Sequence, residues 1–205
     1  GILLLVRGGA GAEVRGEVCG SGGSVPVLLT AAVCLVCSMN DMAVPSVSLE
    51  GKSLWVSRSL PVDAWTALRA QCGMQLLLTV PGAVFAALCS AIVTRSDLLT
   101  GLLMVVFCAI FASFSAYLAL YIGLHNVNLV WTNETSVIKQ GVQILVALLA
   151  GWLLPVLFVL PYMLLLNGDF NPTAYLALAS LLFAAAALVF RRWLRTKGVM
   201  RFESL

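Results

Sequence analysis

The chain has few charged residues, and its only histidine is His125. Charged residues make up 10% of the 205 residues, whereas a soluble domain has about 25%. Hydrophobic residues make up 61%, and the mean hydropathy is +1.02. A soluble globule of this composition would lack the polar side chains needed to cover its surface. The composition therefore excludes a soluble globule and predicts a protein that lies in the bilayer.

Residues suited to catalysis or metal binding are also scarce. Cys34 and Cys37 have redox-motif spacing, but they lie in an apolar run with no βαβ pattern around it. We interpret them as ordinary buried small residues. One histidine and no second suitably spaced cysteine pair do not make a zinc site. No constellation of serine, cysteine and carboxylates indicates nucleophilic or acid–base chemistry. The sequence therefore predicts no catalytic residues, no metal site and no enzyme.

Nucleotide and nucleic-acid binding are disfavoured as well. Gly51-Lys52-Ser53 resembles the end of a P-loop, but the required glycine five positions earlier is replaced by Ser46. The net charge of +3 does not indicate nucleic acid, because most of it comes from one basic cluster after the last apolar run. Such a cluster is typical of a cytoplasmic membrane flank and can attract anionic lipid headgroups. We expect no cofactor in this chain.

What the sequence does contain is five apolar runs of membrane-spanning size. The runs are continuous, which favours helices over the alternating strands of a barrel. We predict an all-α, polytopic helix bundle at 25–205, after an irregular glycine-rich stretch at 1–24. The first run reaches spanning length only if Gly22–Asn40 all contribute. The predicted spans are Val25–Met39, Cys72–Val93, Leu98–Leu124, Val137–Leu166 and Thr173–Phe190.

Lysine and arginine are unevenly divided between the connectors, which predicts the orientation. One side carries nine of them, and we expect that side and the C-terminus to be cytoplasmic. The nine are Lys52, Arg58, Arg69, Lys139, Arg191, Arg192, Arg195, Lys197 and Arg201. No charge is expected well inside a span, which argues mildly against an ion-coupled carrier.

Two patterns inside the spans concern packing. Small residues recur about every four positions in the third span, at Ala112, Ser115 or Ala116, Ala119 and Gly123. This spacing predicts a groove for a close helix partner. The fourth span contains Pro155 and Pro161, which predict a kink. The kink could serve motion or could be a packing irregularity.

The polar connector at 48–69 is the most informative segment. It mixes tryptophan and leucine with charged residues, and Pro61 and Asp63 can end one short helix and start the next. Amphipathic pieces of this kind lie at the bilayer surface. The connector either only anchors itself there or docks a soluble partner, and its composition leaves both possibilities open.

Three separated stretches resemble one known family. Ser48-Leu-Glu-Gly-Lys-Ser-Leu-Trp55 with Arg58-Ser-Leu-Pro-Val62 resembles the cytoplasmic loop of bacterial ATP-binding-cassette exporter permeases of the type-2 kind. Val130–Glu134 with Val137–Gln140 is similar to the family's second cytoplasmic connector. Lys197–Glu203 is similar to its basic C-terminus. The resemblance covers about 42–205, which would be the C-terminal portion of a longer protein.

The resemblance implies a permease subunit in the bacterial cytoplasmic membrane. It would pair with a separate ATPase, which binds the ATP, and with a second permease half or subunit. The loop would act as a coupling helix, with Glu50, Lys52, Trp55 and Arg58 as its contact surface. The alternative is a scaffold or sensor whose loop binds a cytosolic partner. A secondary carrier would require buried ionisable residues.

Overall fold

The structure is a computed structural model that describes residues 24–49, 63–125, 142–164 and 171–203. Within these ranges the chain is mostly helical and forms no strand, which confirms the all-α prediction. The helices are α1 Val25–Ser38, α2 Ala43–Leu49, α3 Ala64–Thr94, α4 Leu98–His125, α5 Val142–Leu164, α6 Pro172–Trp193 and α7 Val199–Glu203. A π-helical turn at Leu194–Gly198 joins α6 to the short α7.

Five of the helical stretches are long and apolar enough to cross a membrane, so the predicted number of spans is confirmed. The first stretch, Val25–Ser46, includes α1, a break and part of α2. The residues that bring it to spanning length follow Met39, whereas we expected all of Gly22–Asn40 to be needed for that length. The other four stretches are Ala64–Thr94, Leu98–His125, Gln143–Leu164 and Pro172–Phe202. The chain is a membrane protein.

The second span begins earlier than predicted. Asp63 is extended and stands at the N-cap of α3, whose 31 residues start at Ala64 rather than at Cys72. Trp65 and Arg69, which we assigned to the polar connector, therefore belong to the first two turns of a spanning helix. At its other end α3 stops at Arg95, which has a left-handed φ of 48°. Only residues 95–97 connect α3 to α4, so the turn between them is tight.

Helix α4 is the centre of the bundle. It contacts α1, α2, α3, α5 and α6. Half of its most apolar stretch is buried, compared with 17% for α3 and 22% for α5. Large apolar side chains are correspondingly exposed on the outer helices, where they would face lipid. The small residues predicted to form a groove on α4 are buried, namely Ala112, Ser115, Ala116 and Ala119.

One side of α4 packs through aromatic rings. Phe107, Phe111 and Phe114 each have a ring centroid within 6 Å of Phe183 on α6, and Phe107 also stacks on Phe158 of α5 at 4.6 Å. Such pairs favour offset or edge-to-face geometries, which these contacts show. We call this contact region of α4, α5 and α6 the aromatic interface. Cys34 and Cys37 are buried free thiols, as predicted.

Candidate functional site

The first span is interrupted between α1 and α2. Helix α1 ends at Ser38 and α2 begins at Ala43. Within the gap, the amide N–H groups of Met39 and Asn40 bond back to Val36 and Cys37. A break frees backbone groups from the helical ladder, and lipid cannot satisfy them. Irregular backbone inside a span therefore needs partners from the protein, and this break has them.

Helix α3 supplies partners from one polar face. The amide N–H of Ala43, the first residue of α2, donates to Oε1 of Gln75 at 3.0 Å. Nδ2 of Asn40 donates to Oγ1 of Thr79 at 2.8 Å, and Oγ of Ser46 donates to Oε1 of Gln71 at 3.1 Å. The three partners on α3 are four residues apart, so they lie on the same face of the helix.

A further polar contact ties α2 to α5. Oγ of Ser48 lies 3.3 Å from Oε1 and 3.2 Å from Nε2 of Gln143, and both side chains are buried. Ser48 lies near the end of α2, and Gln143 is the second residue of α5. The polar contacts therefore extend from the start of α5 to the break. We call this set of hydrogen bonds around α2 the polar ladder.

Two glycines let neighbouring helices approach the broken span closely. A Cβ atom on Gly123 of α4 would lie 2.5 Å from the carbonyl oxygen of Val44, in α2. A Cβ atom on Gly151 of α5 would lie 3.0 Å from Cβ and 3.1 Å from the carbonyl oxygen of Ser38. Real Cβ atoms essentially never come within 3.0 Å, so Gly123 must be glycine for α2 to lie where it does. The close helix partner predicted for the α4 groove is therefore α2 at this position.

A carboxylate lies in the break. Asp41 is half-buried, and its Oδ2 atom has no hydrogen-bond partner within the described ranges. It falls inside the first span, Val25–Ser46. This corrects our expectation that no charge lies well inside a span, which arose because the first span was predicted to end at Met39. An ionisable group at such a place is costly in lipid and commonly functional.

The break lies beside the middle of α3. Thr79, which bonds Asn40, is the sixteenth of the 31 residues of α3. A rise of 1.5 Å per residue puts it about 22 Å along the helix. An open groove of about 430 Å³ adjoins this point between α1 and α3, with Asn40, Thr79 and Ser90 in its otherwise mainly apolar lining. The irregular backbone therefore lies beside the middle turns of α3 and next to a surface groove.

The predicted coupling residues are connected to the polar ladder through the chain. Glu50, Lys52, Trp55 and Arg58 lie in 50–62, outside the described residues. The segment joins α2 directly to Asp63 and α3. Both of its flanking helices are held together by the polar ladder.

The sequence interpretation missed the ladder. Gln75 and Gln143 were part of no predicted site. The available signal was the repetition of Gln71, Gln75 and Thr79 at intervals of four in an apolar helix. What the sequence did not show was that a segment more than twenty residues earlier would return to this face.

His125 lies at the end of α4 in an aromatic setting. Its ring is 4.6 Å from that of Tyr121 and 5.6 Å from that of Trp193. Nε of Arg201 donates to the carbonyl oxygen of Leu124 at 3.0 Å, which satisfies one of the terminal carbonyls of α4. Such surroundings support a structural role at a helix end.

Comparisons of the chain with protein-family models, with curated proteins and with solved structures found no match.

Proposed function

We propose that the chain is the membrane-spanning permease subunit of an ATP-driven exporter, coupled to a separate ATPase through the loop at 48–69. One observation carries most of the argument. The loop is flanked by α2 and α3, and these helices are bonded to each other at Ser46–Gln71 and Ala43–Gln75. A displacement of the loop would therefore act on the break between α1 and α2.

The break in the first span can accommodate that displacement. The four residues between α1 and α2 lie outside the helices, and hinges made of a few such residues absorb domain motion by changes in φ and ψ. Discontinuous membrane helices also recur at transport sites. In this proposal ATP hydrolysis on the partner tilts α2 and α3, and the tilt opens or closes a path shared with a second permease half or subunit. The chain itself contributes no catalytic residue.

The resemblance of three stretches to exporter permeases supports the same conclusion. It also supports a location in the bacterial cytoplasmic membrane, with the loop and the C-terminus inside the cell.

A scaffold or sensor is the second candidate, and one observation favours it. Between the polar ladder and the hydroxyl pair of Thr100 and Thr173, the described contacts of α4 with α5 and α6 are aromatic and apolar. A dry interior offers no path to a solute within this bundle alone. The exporter proposal therefore requires the second permease half, whereas a scaffold does not.

A charge-swap experiment separates the two candidates. The tagged chain is extracted from native membranes in three forms: unchanged, Glu50→Lys with Lys52→Glu, and Arg95→Glu with Asp97→Lys. Both double variants keep the net charge, but the second changes the turn at the opposite end of α3. For an exporter, an ATPase with a complete Walker motif co-purifies with the unchanged chain. We expect the loop swap to abolish transport-coupled ATP hydrolysis and the turn swap to preserve it, with equal amounts inserted.

Two outcomes would contradict the exporter. The first is an unchanged chain that binds a cytosolic partner through the loop but no ATPase, which supports the scaffold. The second is normal coupling in the loop swap, which would remove the role assigned to Glu50 and Lys52. Labelling of a cysteine introduced at Ser53 only from the periplasmic side would reject the proposed orientation for both candidates.

A further inference from the structure

A partly enclosed pocket of about 350 Å³ lies between α3, α4 and α6. It is separate from the polar ladder and from the aromatic interface. Its lining includes two arginines, whereas the two larger grooves on the outside of α1 have no charged residue in the described part of their linings. The lining residues are Trp65, Leu68, Arg69, Cys72, Gly73, Leu76, Tyr117, Leu120, Arg191 and Leu194.

The helix lengths put this pocket at the edge of the hydrocarbon layer. Tyr117 is the twentieth residue of α4, which begins at Leu98, and Arg191 is the twentieth residue of α6, which begins at Pro172. Twenty residues rise about 30 Å, which is the thickness of the hydrocarbon core. Both residues therefore lie one hydrocarbon thickness from the opposite membrane face, at headgroup level.

The lining of the pocket carries positive charge. Arg69 of α3 and Arg191 of α6 approach it from two different helices, and both are exposed. Among the described residues, its lining contains no aspartate or glutamate. Guanidinium groups bind phosphate oxygens through parallel hydrogen bonds. Trp65 and Tyr117 add an indole N–H and a hydroxyl at the level where such rings usually meet headgroups.

The rest of the pocket is suited to a lipid. Its buried floor is apolar and is formed by Leu68, Leu120 and Leu194. On α3 the lining continues through Leu76 to a surface where Leu77 is 74% exposed. A headgroup phosphate held by the arginines would leave an acyl chain free to run along this apolar face. A soluble phosphate compound would gain nothing from it.

We propose that this pocket binds an anionic phospholipid, and that Arg69 and Arg191 hold the phosphate of its headgroup. Binding joins the start of α3 to the end of α6. The site thus couples the lipid composition of one leaflet to the geometry of the two helices.

The test measures lipid binding to the purified chain in an uncharged detergent. Native mass spectrometry follows titration with phosphatidylglycerol and, separately, with phosphatidylcholine. Each basic residue near an anionic surface contributes roughly fivefold in affinity. We therefore expect Arg69→Gln with Arg191→Gln to weaken phosphatidylglycerol binding by about 25-fold and to leave phosphatidylcholine binding unchanged.

The matched control is Arg192→Gln with Arg195→Gln. It removes the same charge from exposed positions of the same basic end, but neither residue lines the pocket. We expect less than a twofold loss for this control, and retained binding for Arg69→Lys with Arg191→Lys. Equal losses in the two glutamine pairs would overturn the site in favour of diffuse attraction. Displacement of the lipid by equimolar glycerol phosphate would overturn the lipid as its ligand.

Discussion

The two sides of α4 are stabilised by different kinds of interaction. Toward α6, the aromatic interface is formed by phenylalanine rings whose shapes fit one another. Toward α2, the contact is made by the bare backbone of Gly123, and the broken span is fixed by the hydrogen bonds of the polar ladder. Lipid tails are as apolar as leucine, so neither side gains from hiding apolar surface from water. Ring packing and backbone satisfaction must each stabilise their own side.

This difference determines which substitutions and movements each side of α4 tolerates. A ring interface loses contact energy gradually as atoms are removed. At a helix break, each N–H group freed from the helix either has an acceptor or lacks one, so stability is lost in steps rather than gradually. The aromatic interface is therefore suited to a fixed frame. The broken span, with its few specific bonds, is suited to two arrangements, and this is the region next to the proposed coupling loop.

The largest effect should come from closing the gap between α4 and α2. In Gly123→Ala the new Cβ would meet the Val44 carbonyl oxygen at 2.5 Å, so the backbone of α2 must move. We expect a loss of about 2–3 kcal/mol in the free energy of unfolding, as for overpacked sites. Thermal unfolding in detergent measures it. Gly82→Ala is the control, since its Cβ would have nothing within 4 Å, and it should be neutral or stabilising.

Removing an acceptor from the polar ladder should come next. Gln75→Leu leaves the Ala43 N–H without its acceptor in a buried place. We expect a loss of about 2 kcal/mol and faster hydrogen exchange at 39–46, while peptides of α6 are unaffected. Slow exchange at Ala43 in the variant would show that the break is satisfied by another group, and the ladder would lose its assigned role.

The aromatic interface should respond less, and without any effect on the break. Phe107→Leu keeps an apolar side chain of similar reach but loses the stacked and edge contacts with Phe158 and Phe183. Aromatic pairs contribute about 0.5–1.5 kcal/mol each beyond their area, so we expect the two lost pairs to cost about 1–1.5 kcal/mol together. Phe85→Leu is the control, because Phe85 is 71% exposed. If Phe107→Leu accelerated exchange at Ala43, the two sides would not be independent.

Much of this architecture could be predicted from the sequence. The five spans follow from apolar length alone, and the α4 groove follows from small residues at intervals of four, because both are local patterns. Asp63 was also recognised as a helix start. The length of α3 was not, because Trp65 and Arg69 have the composition of a surface loop although they begin a spanning helix.

The break could not be predicted for a different reason. Asn40 and Asp41 follow a mostly apolar run of fifteen residues, so the end of the span was placed before them. Their true depth is set by Gln75 and Thr79, which lie more than thirty residues later. A polar residue inside a membrane is tolerated only where it has a partner, and here that partner is supplied by the tertiary structure. The coupling residues Glu50, Lys52, Trp55 and Arg58 stay predictions, since they lie outside the described ranges.

The smallest effect should distinguish a bond between helices from a bond within one. Ser46→Ala removes the hydroxyl that donates to Gln71 on α3 and lies 2.7 Å from the Ala43 carbonyl oxygen. Ser113→Ala removes a hydroxyl for which the structure gives one acceptor, the Ala109 carbonyl of its own helix. Interhelical hydrogen bonds in membranes contribute about 0.6 kcal/mol on average. We expect a loss of that size for Ser46→Ala and none for Ser113→Ala, measured by thermal unfolding in the same detergent. Equal losses would mean that the ladder orders α2 locally without joining it to α3, and displacement of the loop would then have no route into the bundle through Ser46.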